Sequence, residues 1–130
     1  MAGATLELTE KNFEETLAKG GTLFIDFWAA WCGPCRAFAP TFEAAAGKHP
    51  DITFAKVDTE AQQGLAQAFE IQSIPTLAIF REGILLGVNS GALPPAALEE
   101  IIGKVREMDM TEVKAEVAKR QAEAQKTEAT

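Results

Sequence analysis

The only two cysteines of the chain lie in the stretch Trp31-Cys32-Gly33-Pro34-Cys35, between an apolar run that ends at Trp28 and a segment with helical periodicity. Two cysteines separated by two residues at a strand-to-helix turn can alternate between dithiol and disulfide with little change elsewhere. A loop this short gains little stability from a cross-link, so the pair is predicted to be chemical and not structural. The fold must therefore supply a strand that ends at this stretch and a helix that begins in it.

Charge and hydropathy exclude several function classes. The 19 acidic residues outnumber the 12 basic ones, and the net charge of −7 argues against nucleic acid or an anionic membrane as a partner. The longest apolar run, Leu23 to Trp31, is far too short to span a membrane and carries Asp26. The first residues lack the basic and apolar regions of a signal peptide, so we expect a soluble cytoplasmic protein.

Hydrophobic periodicity predicts alternating strands and helices that end in a hairpin and a helix. We expect Thr9 to cap the first helix and a capping box, Thr59 to Gln62, to open the third. This order predicts an α/β fold with a mixed sheet and helices on both faces. The predicted strands are Thr5–Leu8, Thr22–Trp28, Ile52–Asp58, Thr76–Arg81 and Ile84–Asn89.

The two cysteines are predicted to have different roles. Cys32 falls at the N-cap of a helix, where free backbone amides and the helix dipole stabilise a thiolate, so it is the expected nucleophile. Cys35 lies one turn further into the helix and is the expected resolving thiol. Half of a zinc site is the alternative for such a pair, but His49 is the only other soft ligand and is better explained as a solvated loop residue.

Asp26 breaks an otherwise apolar strand. A carboxyl buried there has a raised pKa and could accept the proton that Cys35 must lose, whereas an Asp at a strand end would face water. Lys56 occupies a similar position in the next strand and could approach Asp26, although a solvated lysine on an edge strand explains it equally well. Trp28 is expected in the core and Trp31 at the rim.

The proline at Pro75 has two ordinary explanations from the residues alone, turn initiation and strand entry. Base rates do not favour a cis bond at that position.

From about Leu6 to Arg106, several separate motifs together resemble the thioredoxin family of bacterial type. The motifs that carry the resemblance are Asp26-Phe27-Trp28-Ala29, Trp31-Cys32-Gly33-Pro34-Cys35, Pro40, Lys56-Val57-Asp58, Ile74-Pro75-Thr76, Gly83 and Gly91-Ala92-Leu93. The resemblance implies a thioredoxin fold, which is a central mixed five-stranded sheet flanked by four helices. Here an extra C-terminal helix is added, so that residues 1–107 form the domain and residues 108–130 a helical extension.

The resemblance also implies roles that spacing does not supply. Pro75 would be a cis-proline opposite the disulfide, and Lys56 would tune Asp26. The residues expected to bind substrate are Trp28, Trp31, Gly33, Pro34, Ile74, Gly91 and Ala92. Ser90 and Glu70 depart from the family pattern, since an apolar residue and a glycine are common there, so client preference could differ from that of other members.

The resulting hypothesis is a protein-disulfide reductase that acts on many client proteins and is recycled by an NADPH-dependent thioredoxin reductase. It would act as a monomer, bind no metal or other cofactor, and use the Cys32-Cys35 disulfide as its redox centre. Two rival hypotheses are a redox-independent assembly subunit that uses the same surface and a specialised oxidant or isomerase.

Overall fold

The structure is a computed structural model that describes the backbone of residues 4–129 and the side chains of residues 4–125. Across this range strands and helices alternate before the hairpin, as the periodicity predicts. The elements are β1 (Leu6–Glu7), α1 (Phe13–Ala18), β2 (Thr22–Trp28), α2 (Gly33–Lys48), β3 (Thr53–Asp58), α3 (Gln63–Ala68), β4 (Thr76–Arg81), β5 (Ile84–Ser90), α4 (Pro95–Glu107) and α5 (Met110–Ala129).

The strand that leads to the cysteines, β2, is the middle strand of a five-stranded sheet with the order β1-β3-β2-β4-β5. It runs parallel to β3 and antiparallel to β4, and β4 continues into β5 as an antiparallel hairpin. The predicted mixed five-stranded sheet is confirmed. Because β2 has a neighbour on each side, its backbone groups are paired and its side chains lie beneath the layers above and below.

Alternate residues of β2 face two different helical layers. Ile25 and Phe27 belong to a cluster against which Phe13 of α1 and Phe69, just after α3, are packed. On the opposite face the Phe24 ring lies 5.4 Å from that of Phe54. The Phe54 ring in turn lies 5.3 Å from Phe42 of α2. Helices therefore cover both faces, and Asp26, which alternates with Phe27, points to the α2 side.

Both predicted helix caps are wrong. Helix α1 begins at Phe13, because Thr9 and Asn12 exchange two hydrogen bonds, of 2.7 and 3.3 Å, and hold a turn ahead of the helix. Helix α3 begins only at Gln63, without a side-chain cap. The Thr59 hydroxyl instead donates to the Trp28 carbonyl at 3.1 Å. In both places a competing hydrogen bond replaced the expected cap.

Two residues other than glycine have left-handed backbones. Glu82 has φ 53° in the tight turn between β4 and β5, followed by Gly83 at 79°, which suits the right-handed twist of a hairpin. Glu70 has φ 54° just after α3, where the left-handed conformation ends the helix. A residue with a Cβ disfavours this conformation by roughly 1–2 kcal/mol, so tertiary structure must hold Glu70 in place.

The C-terminal part of the chain forms a second compact unit that begins at Glu99, whereas the first ends at Leu98. The second unit contains most of α4 and all of α5, and within it Ile102, Val105 and Met110 are buried. In α5 the buried Met110 and the half-buried Val113 and Val117 form an apolar row among exposed neighbours. The predicted division at residue 107 stays a prediction. No helix among the described residues is long and apolar enough to cross a membrane.

Phe54→Ala is expected to lower the free energy of unfolding by about 3–5 kcal/mol, because it removes a buried ring that contacts Phe24 and Phe42 and leaves a cavity. Urea unfolding followed by circular dichroism measures the change. Leu85→Ala is the matched control, since Leu85 is an exposed side chain of the same sheet. Equal losses in the two variants would contradict the assignment of the core to this face.

Candidate active site

Helix α2 begins immediately after Cys32, which is its N-cap, as the sequence predicts. The backbone of Cys32 is extended, with φ −89° and ψ 112°, and the Cys35 N–H donates to Cys32 Sγ at 3.2 Å. The Cys32 carbonyl accepts the first helical bond from Arg36 at 3.2 Å. Pro34 in the first turn lacks an N–H that would otherwise be unpaired. The sulfur of Cys32 therefore faces the positive end of a helix of 16 residues.

Cys32 and Cys35 form a disulfide, with their Cα atoms 5.2 Å apart. Both residues are nearly covered, with exposed fractions of 4% and 2%, and Trp28 and Ile74 pack against them. Burial alone therefore does not distinguish the two sulfurs. Their positions distinguish them, since Cys32 lies in front of the helix and Cys35 lies inside its first turn.

Asp26 is completely buried in the centre of β2, which rules out the alternative of a solvated strand end. Neither carboxylate oxygen has a hydrogen-bond partner among the described residues. Burial raises the pKa of Asp26 to about 7, and the opposing effect of Lys56, which lowers this pKa, is smaller. Near neutral pH the Asp26 carboxyl is therefore present in both its charged and its neutral form. A group that accepts a proton and later returns it must have both forms available.

Lys56 is the register partner of Asp26 on β3, which is an interior strand, so the edge-strand alternative is wrong. Its ammonium group does not form an ion pair with Asp26 within the described part of the chain. Instead Lys56 Nζ lies over the Trp28 ring, 5.0 Å from the centroid. Lys56 and Trp28 also line a cavity of about 340 Å³ together with residues of β1, α2 and β3.

Two further segments come to the same end of the sheet as the cysteines. Phe27 pairs with Thr76 in the antiparallel register, so the end of β2 lies beside the beginning of β4 and the residues that precede it. The Ile74 carbonyl oxygen is 3.7 Å from Cys32 Sγ, and the bond from Ile74 to Pro75 is cis. The Gly91 N–H donates to the Pro75 carbonyl at 2.8 Å, which attaches the end of β5 to this segment.

The residues expected to bind substrate differ in exposure. Trp28 and Ile74 are half-buried against the cysteines, whereas Trp31 is 68% exposed. The remaining members of the set are exposed, and they are Gly33, Pro34, Gly91 and Ala92. The expected core position of Trp28 is therefore wrong. Its side chain is only half-buried, because the Lys56 ammonium and the cavity of about 340 Å³ lie beside its ring.

Glu60 is a part of the site that the sequence did not predict. Its Oε1 accepts a hydrogen bond from Trp31 Nε1 at 3.1 Å and fixes the direction of an otherwise exposed indole ring. Glu60 is itself placed by Asp58, whose Oδ1 accepts from the Glu60 N–H at 2.9 Å. The spacing Asp58-x-Glu60 is the local signal for this turn, but it does not identify Trp31 as the partner.

The described residues contain no group of three or more His, Cys, Asp or Glu side chains that could hold a metal ion. The two cysteine sulfurs, which a zinc site would need as thiolates, are bonded to each other. The chemistry that this arrangement supports is thiol-disulfide exchange.

Comparison with known proteins finds related sequences and a related fold. The family profile described as Thioredoxin matches residues 4–107. A provisionally named thioredoxin 2 of Streptomyces coelicolor is 54% identical over 121 residues, which cover 93% of this chain and 90% of that protein. A thioredoxin of Alicyclobacillus acidocaldarius is 39% identical over 103 residues, 78% of this chain and 98% of its own. The oxidised mitochondrial thioredoxin 3 of Saccharomyces cerevisiae superposes with a TM-score of 0.72 at 32% identity, covering 78% of this chain and 96% of that one.

Asp26→Asn is expected to stabilise the oxidised protein by about 4 kcal/mol at pH 8, with little effect at pH 4. The pKa of Asp26 is about 7 in the folded state and 3.8 ordinarily, so between these values the folded protein binds more protons than the unfolded chain. The stability of the wild type therefore falls as pH rises through this window, and the neutral variant lacks this fall. Urea unfolding between pH 4 and pH 8 measures the free energy of unfolding of both proteins. Parallel curves of this free energy against pH would contradict the raised pKa of Asp26.

Lys56→Gln is expected to move the same pH-dependent fall in stability to higher pH. The charge of Lys56 lowers the pKa of Asp26, so its removal allows burial to raise that pKa further. The same unfolding series gives the midpoint of the fall, with Lys48→Gln as a control for the loss of a positive charge at an exposed position. A midpoint that stays in place in Lys56→Gln would show that the two groups are not coupled.

Proposed function

The chain belongs to the thioredoxin family, and from this membership we propose that it reduces disulfides in a range of client proteins and is recycled by an NADPH-dependent thioredoxin reductase. It is a thiol-disulfide oxidoreductase whose cysteine pair gives it protein-disulfide reductase activity. The observation that carries the proposal is the position of Cys32 Sγ, at the N-cap of α2, bonded to Cys35 and beside the Ile74 carbonyl.

The proposed reaction has two exchange steps. The Cys32 thiolate attacks one sulfur of the client disulfide, forms a bond to it, and releases the other client sulfur as a thiolate, which takes up a proton. The Cys35 thiolate then attacks Cys32 Sγ, releases the second client sulfur, and forms the Cys32–Cys35 disulfide that the structure contains. Two electrons and two protons pass to the client, and the protein is oxidised.

Asp26 is proposed as the acceptor of the proton that Cys35 loses in the second step. Its side chain points to the face that α2 covers, and Cys35 lies in the first turn of that helix. Burial brings the pKa of Asp26 to about 7, close to the pH at which the exchange must occur. Lys56 limits this rise in the pKa, which supports its proposed tuning role.

Client segments are proposed to bind beside Ile74. This residue precedes β4, and its backbone N–H has no hydrogen-bond partner among the residues described, so an extended segment could pair with it as an added strand. Pro75 would hold the Ile74 backbone against Cys32, and the exposed Trp31 would flank the bound segment. The other members of the proposed surface are Trp28, Gly33, Pro34, Gly91 and Ala92.

Disulfide-containing proteins and a reductase are the partners that family membership implies in general. We place the reaction in the cytoplasm, where thiols are kept reduced, and expect a monomer that carries the redox pair and no bound cofactor. Neither nucleic acid nor membrane is proposed as a partner, since acidic residues outnumber basic ones.

Cys32→Ser is expected to lower reduction of the insulin disulfides by dithiothreitol to the rate of dithiothreitol alone, because the protein then lacks the thiolate that begins the exchange. Cys35→Ser, reduced beforehand and then freed of dithiothreitol, is expected to accumulate a mixed disulfide with insulin, because the resolving thiol is missing. Turbidity of the released insulin chain and non-reducing electrophoresis measure the two results. Full activity in Cys32→Ser would overturn the mechanism, and a strongly oxidising potential of the wild-type pair would favour an oxidant instead.

A chain that ends at Glu107 is expected to reduce insulin at the wild-type rate. The family profile ends at the same residue, which supports a domain of residues 1–107 followed by an extension. At least part of the extension is matched in the Streptomyces relative, since a match of 121 residues is longer than the first 107 residues of this chain. Loss of activity in a shortened chain that still unfolds cooperatively would show that residues 108–130 take part in the reaction.

A further inference from the structure

Two recesses that share a wall extend from Ile74, which is beside Cys32, towards the end of α3. The first has a volume of about 180 Å³ and includes Trp31, Thr59 and Ile74 in its lining. The second has a volume of about 360 Å³ and includes Glu70. Residues common to both linings are Ala66, Ile71 and Gln72. We call the two recesses together the α3 groove.

The α3 groove shares one residue, Ile74, with the surroundings of the reacting sulfur. Ile74 lines its first recess and places its carbonyl oxygen 3.7 Å from Cys32 Sγ. Trp31 forms another part of the lining, and its ring is held there by the hydrogen bond to Glu60. A client segment whose disulfide reaches Cys32 must therefore place neighbouring side chains at or near this groove.

A carboxylate lies near each end of the α3 groove: Glu70 lines the far recess, and Glu60, outside the lining, follows the lining residue Thr59 and bonds to Trp31. Glu60 Oε1 accepts from Trp31, and its second carboxylate oxygen has no partner among the described residues. Glu70, at the far end, is exposed, and its carboxylate has neither a hydrogen bond nor an ion pair in the described part of the chain. No lysine or arginine occurs between Lys56 and Arg81, so this stretch supplies no positive charge to offset the two carboxylates.

We propose that the α3 groove selects client segments that carry an arginine or lysine within three residues of the reacting cysteine. The apolar parts of Trp31, Ile71 and Ile74 would pack against the aliphatic stem of that side chain, and Glu60 or Glu70 would pair with its charged end. An arginine could also stack on the Trp31 ring. This inference rests on the proposed function, because it concerns the clients of the same cysteine pair.

Other side chains fit the α3 groove less well. A leucine could pack against the apolar lining but would leave the carboxylates without a partner, and an acidic residue would be repelled by them. Because an extended segment advances about 3.3 Å per residue, a side chain two or three positions from the cysteine lies roughly 7–10 Å along the groove from Cys32. Positions up to three residues away on either side are therefore the ones to test.

The test uses peptides that contain one cysteine, are oxidised to symmetric disulfides, and carry Arg, Leu or Glu at one of these positions. Reduction by the pre-reduced protein is followed by the change in tryptophan fluorescence. A basic neighbour also makes a cysteine a better leaving group, so each rate constant is divided by that for reduction of the same peptide by dithiothreitol. At the best position the normalised ratio of Arg to Glu peptides is expected to be about fivefold at low salt and to fall with ionic strength.

Glu60→Gln and Glu70→Gln remove the charges of the α3 groove, and the first variant retains an oxygen that can accept the Trp31 hydrogen bond. In the double variant the normalised ratio is expected to approach one. Glu14→Gln is the matched control, since Glu14 is an exposed residue of α1 outside the groove. Its ratio is expected to equal that of the wild type.

Equal normalised rates for Arg and Glu peptides with the wild type would overturn the proposal, as would a ratio that persists in the double variant. An equal decrease of the ratio in Glu14→Gln would also overturn it, since the selectivity would then arise from the net charge of the protein. If no peptide is reduced faster than by Cys32→Ser, the proposed function itself fails. A failure of selectivity with normal reduction leaves the proposed function standing.

Discussion

A fully buried carboxyl group in the middle of the sheet is the constraint around which the rest of this structure is arranged. Desolvation of Asp26 disfavours its charged form, and the structure offsets this only in part, since Lys56 acts across the strand pair while its ammonium lies over Trp28. A hydrophobic residue would suit the position better if stability alone mattered. The position is explained if the group serves a proton transfer, because the same burial that opposes its charge brings its pKa close to neutrality.

Strand order then determines what else can join the site. Because β2 and β4 are antiparallel neighbours, the turn that follows β2 lies beside the residues that precede β4, and the end of β5 follows through the hairpin. Cys32, Ile74 and Gly91 thus meet at one end of the sheet although they are far apart in sequence. The helix that begins at Cys32 supplies the electrostatic environment of the sulfur, while the two other segments supply the surface proposed for the client.

Features that depend on local spacing could be predicted from the sequence, whereas features that depend on distant partners could not. The N-cap position of Cys32 and the hairpin after Arg81 follow from the residues next to them. The caps expected at Thr9 and Thr59 were wrong, and Thr59 shows why, because its hydroxyl bonds to a carbonyl 31 residues away. The bond between Trp31 and Glu60 spans 29 residues and leaves no periodic signal. Lys56 was ambiguous for the same reason, since only the strand order shows that β3 is interior.

The separation of 42 residues between Cys32 and Ile74 has a consequence during synthesis on the ribosome. The cap at Cys32 is formed by residues that leave the exit tunnel together, so the environment that makes its thiol reactive can form early. Ile74 is made later, and it reaches Cys32 only when β4 pairs with β2. If Ile74 selects clients as proposed, a nascent chain whose first three strands have left the tunnel would carry the Cys32 cap before it carries the surface that discriminates between disulfides.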